Sequence, residues 1–118
     1  MSDASPDDWQ HEDTKVLQIL ANVLANHNRE DKALILLEYL WRREPENPEV
    51  LRALSGAYLL TQRYQDALVS AEKALGWGMS ETDQQRLRLV RSHALWGLER
   101  FAEAQNAMQD YLSRKIDQ

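Results

Sequence analysis

The side chains best suited to metal binding or acid–base chemistry are three histidines, His11, His27 and His93. A histidine titrates near neutral pH, and clustered histidines bind transition metals. These three are far apart in the sequence, and none lies in a zinc-binding pattern such as His-Glu-x-x-His. The chain has no cysteine, so it forms no disulfide, cysteine-ligated metal site or thiol nucleophile. We therefore expect neither a metal nor a cofactor.

Other signatures of catalysis are missing as well. The sequence has no nucleophile elbow, no phosphate-binding P-loop and no Gly-x-Gly-x-x-Gly motif, which are the local patterns that hold a nucleophile or a phosphate in place. Combinations of serine, histidine and aspartate occur in any polar sequence, and without a preorganised turn they do not indicate catalysis. The sequence predicts that the protein is not an enzyme.

The charges are unevenly distributed along the chain. The net charge is -5, and five acidic residues precede the first basic residue, Lys15. The remainder is balanced, and its one basic cluster is Arg86, Arg88 and Arg91. Nucleic-acid binding usually requires a basic face, so we expect no nucleic-acid partner. We interpret the arginine cluster as a solvated face, the alternative being contact with an acidic partner, and residues 1–13 as an acidic, mobile tail.

Composition favours helices. The chain is 43% hydrophobic and 28% charged, with only four glycines and three prolines, which argues against disorder and against a loop-rich β-fold. No apolar run approaches the roughly 20 residues of a membrane span, and the acidic N-terminus is unlike a secretory signal. We therefore expect a cytoplasmic protein with no integral membrane segment.

An internal repeat organises the sequence. The segment around Ala33 recurs around Ala67, 34 residues later, and again around Ala104, a further 37 residues on. A small residue at this point lets two helices approach closely, and the large residues that follow at helical spacing complete an apolar stripe. One hairpin cannot bury such a stripe alone, so neighbouring hairpins must stack.

Apolar periodicity and helix-breaking residues place the elements. The first-helix stripes are Leu17, Leu20 and Leu24, then Leu51, Leu54 and Tyr58, whereas Pro48 and Ser80 are typical of helix starts. The predicted helices are 14–27, 31–43, 48–61, 64–75, 82–98 and 101–115.

These motifs resemble the tetratricopeptide repeat family. The resemblance is carried by Pro45-x-Asn47-Pro48, by Leu54-x-x-x-Tyr58 and by Tyr64-x-x-Ala67, and it covers residues 14–115. It implies an all-α fold, a right-handed α-solenoid of about three tetratricopeptide-like hairpins that forms a single domain over residues 14–118. The third repeat departs from the pattern, because Arg88 and Arg91 stand where the family has apolar residues. We expect its apolar face to rotate onto Leu87, Val90, Ala94 and Leu98.

The resemblance also implies a binding site. In this family the first helix of each hairpin lines a concave groove that holds a peptide or a helix. Transferred to this sequence, the groove residues are Asn22, Asn26, Arg52, Leu59, Arg86, His93 and Trp96. The alternative is that Leu59 and Trp96 pack between repeats, since large apolar residues are more often core than binding site.

The remaining tryptophans have separate interpretations. Trp41 ends an apolar helix face and is predicted to lie in the core. Trp77 lies in a glycine-flanked turn, where we expect it to pack under the loop. Trp9, in the acidic segment, is left open between packing and contact with a partner.

Three repeats in a chain of this length, with no catalytic domain, are similar to the small tetratricopeptide chaperones of bacterial type III secretion. The ending Ala104-Gln105-x-x-Met108-Gln109-x-Tyr111-Leu112 adds to this similarity. It implies a cytoplasmic chaperone that holds a secreted or export-apparatus polypeptide in its groove, as a heterodimer or a homodimer. The alternative is a structural scaffold or assembly subunit that oligomerises through its uncapped terminal hairpin.

Overall fold

The computed structural model describes residues 10–116, except for the side chains of His11 and Ile116. Within that range the chain is all-helical, with six α-helices and no β-strand. All six predicted helices are confirmed, each to within three residues at its ends. The helices are α1 (His11–Asn26), α2 (Glu30–Arg43), α3 (Pro48–Leu60), α4 (Tyr64–Leu75), α5 (Glu81–Gly97) and α6 (Phe101–Ile116).

Side-chain caps start two of the helices, α3 and α5. Asn47 Oδ1 accepts hydrogen bonds from the backbone N–H groups of Glu49 and Val50, at 3.0 and 3.4 Å, and Pro48 occupies the first turn. Ser80 Oγ accepts from the backbone N–H of Asp83 at 3.2 Å. Each cap satisfies backbone donors that a helix leaves unpaired at its N-terminus.

Helix α1 begins three residues earlier than predicted. The backbone N–H of Gln10 donates to Asp13 Oδ2 at 2.9 Å, and acidic residues in a first turn also interact favourably with the helix dipole. Residues 11–13 of the predicted tail 1–13 are therefore helical. Residues 1–9, including Trp9, lie outside the described residues.

The turns within the three hairpins share one conformation. Asn28, Gln62 and Glu99 all have a left-handed backbone, with φ near 60°, and they repeat at the spacing of the buried alanines. After each, the next backbone N–H donates to the carbonyl five residues back, over 2.8, 2.8 and 3.0 Å. This bond satisfies carbonyls that the ending helix leaves unpaired. The internal repeat is thus a repeat of backbone geometry.

Packing follows chain order. Each helix packs against the next one, and α3 also contacts α5. The repeated alanines, Ala33, Ala67 and Ala104, are all buried, which permits the close helix approach that their small size predicts. Leu87 and Ala94 are fully buried on α5, as expected for its rotated apolar face. No helix within residues 10–116 is both long and apolar enough to cross a membrane.

Two expectations about burial are wrong. Leu20 was assigned to the α1 stripe, but it is 46% exposed, and Ala21 is buried instead. The buried face of α1 is centred on Thr14, Leu17 and Ala21, which places Leu20 on its flank at 100° per residue.

The second correction concerns Arg88, which was interpreted as part of a solvated face. It is only 8% exposed, and its guanidinium donates to Gln85 Oε1 at 2.8 Å and to Gln84 Oε1 at 2.9 Å. These bonds, with an ion pair to Glu81 at 3.3 Å, offset the cost of burying a charge. Arg86 is exposed, as predicted.

Candidate functional site

The residues predicted to form one groove are divided between two adjoining cavities. Asn22, Arg52 and Arg86, from α1, α3 and α5, line a cavity of about 260 Å³ that we call the arginine groove. Asn26 lines neither cavity. Leu60 lines both, so the two hollows meet at the C-terminal end of α3.

Leu59, His93 and Trp96 line the second cavity, of about 1100 Å³, which we call the aromatic cleft. Its walls come from α3, α5 and α6 and from the first residue of α4. The lining residues are Leu59, Leu60, Tyr64, Ser92, His93, Trp96, Gly97, Phe101, Ala102, Ala104, Gln105 and Met108.

Two exposed aromatic rings dominate the aromatic cleft. Trp96 is 62% exposed and Phe101 is 49% exposed. Their ring centroids are 4.8 Å apart and the planes are inclined by 68°, an edge-to-face pairing that fixes both rings. The tight turn at Glu99 joins α5 to α6 and brings the rings together. Trp96 is therefore not a core residue, whereas Leu59 is half-buried and packs against buried neighbours as well as lining the cleft.

Sequence reasoning did not identify Phe101 or Met108 as cleft residues. A signal was available, because Phe101 and Tyr64 occupy the same position in successive repeats, 37 residues apart. Both lie at the start of a second helix, directly after the left-handed turn. An aromatic ring at this position falls beside the end of the preceding first helix, which is where the aromatic cleft lies.

The arginine groove contains one unpaired cation within the described part of the chain. Arg52 Nε lies 3.4 Å from Asp83 Oδ1, close enough for an ion pair but without the angle of a hydrogen bond. Arg86 has no ion pair among residues 10–116 and is exposed. The groove's acidic lining residue is Glu30, in the first turn of α2, where the helix dipole already favours its charge.

The described histidines do not form a site together. His27 follows α1, where its Nδ1 lies 2.8 Å from the carbonyl oxygen of Val23. His93 lines the aromatic cleft on α5. Among residues 10–116, no three histidine or carboxylate side chains are grouped to hold a metal ion.

A second aromatic cluster lies away from both cavities. Trp41 is half-buried against the core and stacks on Trp77, with centroids 6.1 Å apart. The Lys73 ammonium lies 5.2 Å from the Trp41 centroid and 5.8 Å from that of Trp77, within the range of cation–π attraction. Trp77 thus packs on Trp41, and the cluster links α2, α4 and the loop that follows α4.

Another hollow, of about 660 Å³, lies over the turn between α2 and α3. Its lining is Lys15 with residues 44–49, mostly charged side chains and prolines. Apart from the two prolines, its lining has none of the hydrophobic and aromatic side chains that predominate in ligand pockets. The aromatic cleft is therefore the stronger candidate site.

Comparison of the chain with protein-family models finds no match, and comparison with curated proteins finds none either. The case for function therefore rests on the geometry of the two cavities.

Proposed function

We propose that this chain is a tetratricopeptide-like solenoid of three helical hairpins that holds a segment of another polypeptide. The repeated left-handed turn supports the repeat assignment, since the same backbone conformation recurs at each hairpin. Contacts between neighbouring helices, together with the α3–α5 contact, are the packing expected of stacked hairpins. The elongated shape, 56 × 26 × 22 Å, agrees with a solenoid.

The aromatic cleft is the observation that carries the binding function. Large exposed aromatic groups are unfavourable in water and usually mark an interaction surface. Here Trp96 and Phe101 are held in place by their edge-to-face contact and lie in a concave site with Leu60 and Met108. Rigid aromatic anchors in a concave apolar site are typical of binding hot spots.

Within this class we propose the finer function of a cytoplasmic type III secretion chaperone. Its three hairpins and the arginine groove, whose lining includes residues of the first helices α1, α3 and α5, support the assignment. Affinity purification of the full chain from its native cell tests it. We expect a secreted or export-apparatus polypeptide to co-purify in a Trp96-dependent manner. Partners that depend on Trp96 but are unrelated to secretion would support the proposed polypeptide-binding solenoid and contradict the chaperone assignment.

The substitution Trp96→Ala tests the cleft itself. We expect partner binding to weaken by on the order of 2 kcal/mol, the scale of an aromatic hot spot, with the free energy of unfolding nearly unchanged. A core tryptophan would instead lose roughly 3 to 5 kcal/mol of stability on truncation. Titration calorimetry and urea denaturation on the same variant measure both quantities.

Trp41→Ala is the matched control, since Trp41 packs against the core. It should reduce stability and leave binding by the folded fraction intact. Loss of stability without a binding defect in Trp96→Ala would contradict the proposed site.

A second candidate function is assembly with another subunit. Helix α1 exposes an apolar stripe at spacing i, i+3, i+4, i+7, formed by Val16, Ile19, Leu20 and Val23. Four such residues on one face form the kind of patch that marks an interface. The observation favours α1 over the terminal hairpin as the assembly surface. Light scattering, which gives the molecular mass in solution, tests this proposal on the wild type and on Ile19→Lys. A wild-type protein that stays monomeric at every concentration, alone and with candidate subunits, argues against assembly.

A further inference from the structure

We propose that the segment held by this chain is an amphipathic α-helix with an acidic side chain that pairs with Arg86, two to three helical turns from the apolar anchor that fills the aromatic cleft. This inference rests on the proposed function and specifies its ligand. It follows from the size of the cleft, from its mostly helical walls and from Arg86 in the adjoining groove, which has no ion pair among residues 10–116.

The cleft suits a helix better than an extended strand. Most residues of its walls lie inside helices, where the backbone N–H and C=O groups are hydrogen-bonded to one another. The exceptions are first-turn N–H groups of α4 and α6, at Tyr64, Phe101 and Ala102. An extended segment would bury its own backbone groups with few partners, which is costly, whereas a helix satisfies them internally. A helix is about 10 Å wide, and the cleft, which is open to solvent and has a volume of about 1100 Å³, is large enough to admit the apolar face of one helix.

Charge in the adjoining groove selects an acidic group. Of the charged residues that line it, Arg52 is neutralised by Asp83, and Glu30 lies at the favourable end of the α2 dipole. Arg86 is exposed and has no ion pair among residues 10–116. A carboxylate on the ligand would complete this pair, and a basic residue there would be repelled.

The spacing between charge and anchor is set by α5. Arg86 and Trp96 lie on this helix, ten residues apart, which corresponds to about 15 Å at 1.5 Å per residue. A ligand helix lying along the two joined cavities therefore places its acidic residue two to three turns from its apolar anchor.

A peptide-display selection on the full chain tests this arrangement. The probe is a library of 20-residue amphipathic helical peptides with a fixed leucine and phenylalanine face and randomised polar positions. We expect wild-type protein to enrich Asp or Glu at one position two to three turns from the anchor. Arg86→Glu should enrich Lys or Arg at that same position. Arg42→Glu, which reverses an exposed arginine on α2, is the matched control and should keep the acidic preference.

Synthetic peptides then measure the size of the effect. Replacing the selected Glu by Gln should weaken binding to wild type by about threefold to tenfold, the scale of a partly exposed ion pair. The same change should have no effect on binding to Arg86→Gln. The difference should shrink as salt is raised, since exposed charges are screened.

The outcomes separate this inference from the proposed function. If no helical peptide is enriched, the acidic-helix proposal fails, while the co-purification experiment still decides the binding function. If enriched peptides bind Trp96→Ala as tightly as wild type, the aromatic cleft is not the site and the binding function itself fails. Trp96-dependent binding without a charge preference overturns only the acidic-helix proposal, as does a preference that Arg42→Glu also abolishes. A preference for Asp or Glu that appears only after residues 1–9 are removed also overturns it. In that case Arg86 in the intact protein would pair with this chain's own N-terminal segment and not with a ligand.

Discussion

At the residue scale, polar side chains that tertiary contacts bury are held in specific pairs. Arg88 is enclosed by Gln84 and Gln85. Tyr58 donates its hydroxyl to Glu38 Oε2 at 3.0 Å, and the Arg63 guanidinium lies 4.8 Å from its ring centroid. Burial, followed by the hydrogen bond to Glu38, raises the pKa of Tyr58 to about 12. The pair links α2 to α3.

Tyr58→Phe should reveal this shifted pKa. The lost hydrogen bond should cost about 0.5 to 1.5 kcal/mol near neutral pH. Between pH 10 and about 12 the unfolded tyrosine loses its proton while the folded one keeps it. The unfolded state then binds fewer protons, so wild-type stability falls as pH rises. The variant lacks this contribution. The difference in free energy of unfolding between wild type and Tyr58→Phe should therefore narrow as pH rises from 10 to about 12.

Urea denaturation at intervals from pH 8 to pH 12 measures the effect. Tyr39→Phe, on the more exposed side of α2, controls for the removal of one tyrosine hydroxyl. A constant deficit of Tyr58→Phe across the whole range would show that the folded tyrosine titrates like the unfolded one.

At the element scale, α5 contributes to both cavities and depends on close packing at its C-terminal end. Arg86 lies near its start and Trp96 near its end. Gly97, the last residue of α5, lies directly against the ring of Tyr64 on α4. This contact positions the aromatic wall of the cleft. The ring can lie this close to the helix only because residue 97 has no side chain.

Gly97→Ala should be destabilising. A Cβ at this position would lie 2.5 Å from Tyr64 Cδ1, so the ring or the helix must move, at a cost of about 1 to 3 kcal/mol. Gly56→Ala is the matched control within α3, where a Cβ would meet nothing within 4 Å. That change should stabilise by about 0.5 to 1 kcal/mol, because alanine is the better helix former. Thermal denaturation of both variants measures the contrast, and equal effects would contradict the packing at Gly97.

Ala67→Leu tests the close approach between the helices of the second hairpin. Ala67 is fully buried, so a larger side chain should overpack the contact and destabilise by roughly 1 to 3 kcal/mol. Val69→Leu, on the exposed face of the same helix, should change stability by less than about 0.5 kcal/mol. The denaturation midpoints of the two variants give the comparison. A neutral Ala67→Leu would mean that the repeat register is wrong.

At the scale of the whole molecule, stability should vary along the stack. Helix α1 packs mainly against α2, whereas α4 is packed between α3 and α5. In structures held together by neighbour contacts, an end element opens more easily than an internal one. The Trp41–Trp77 stack and Lys73 add a contact between α2 and α4, which strengthens the middle of the stack.

Amide hydrogen exchange should therefore be faster in α1 than in α4. The physical reason is that opening α1 exposes one main helix interface, while opening α4 exposes two. Mass spectrometry of exchanged peptides covering each helix measures the difference within a single sample. Equal protection of α1 and α4 would show that the six described helices open as one unit.

The sequence by itself determined the features that depend on neighbours along the chain. Helix positions follow from apolar periodicity and from helix-start residues such as Pro48 and Ser80, and the repeat follows from Ala33, Ala67 and Ala104. These signals are local because helical hydrogen bonds and tight turns join residues only a few positions apart. The expected groove came from the resemblance to the tetratricopeptide family, and all of its residues except Asn26 line one of two joined cavities.

Only the tertiary structure decided which residues share a surface. Leu20 is exposed because α2 packs on the face of α1 that carries Ala21. Arg88 is buried on α5, a helix that packs against α3, α4 and α6, and its hydrogen-bond partners Gln84 and Gln85 lie one turn away on the same helix. Trp96 and Phe101 meet across the local turn at Glu99, but the residues that complete their cleft, Leu59, Leu60 and Tyr64, come from α3 and α4. Such outcomes depend on the relative placement of whole helices, which is set by the packing of many side chains together.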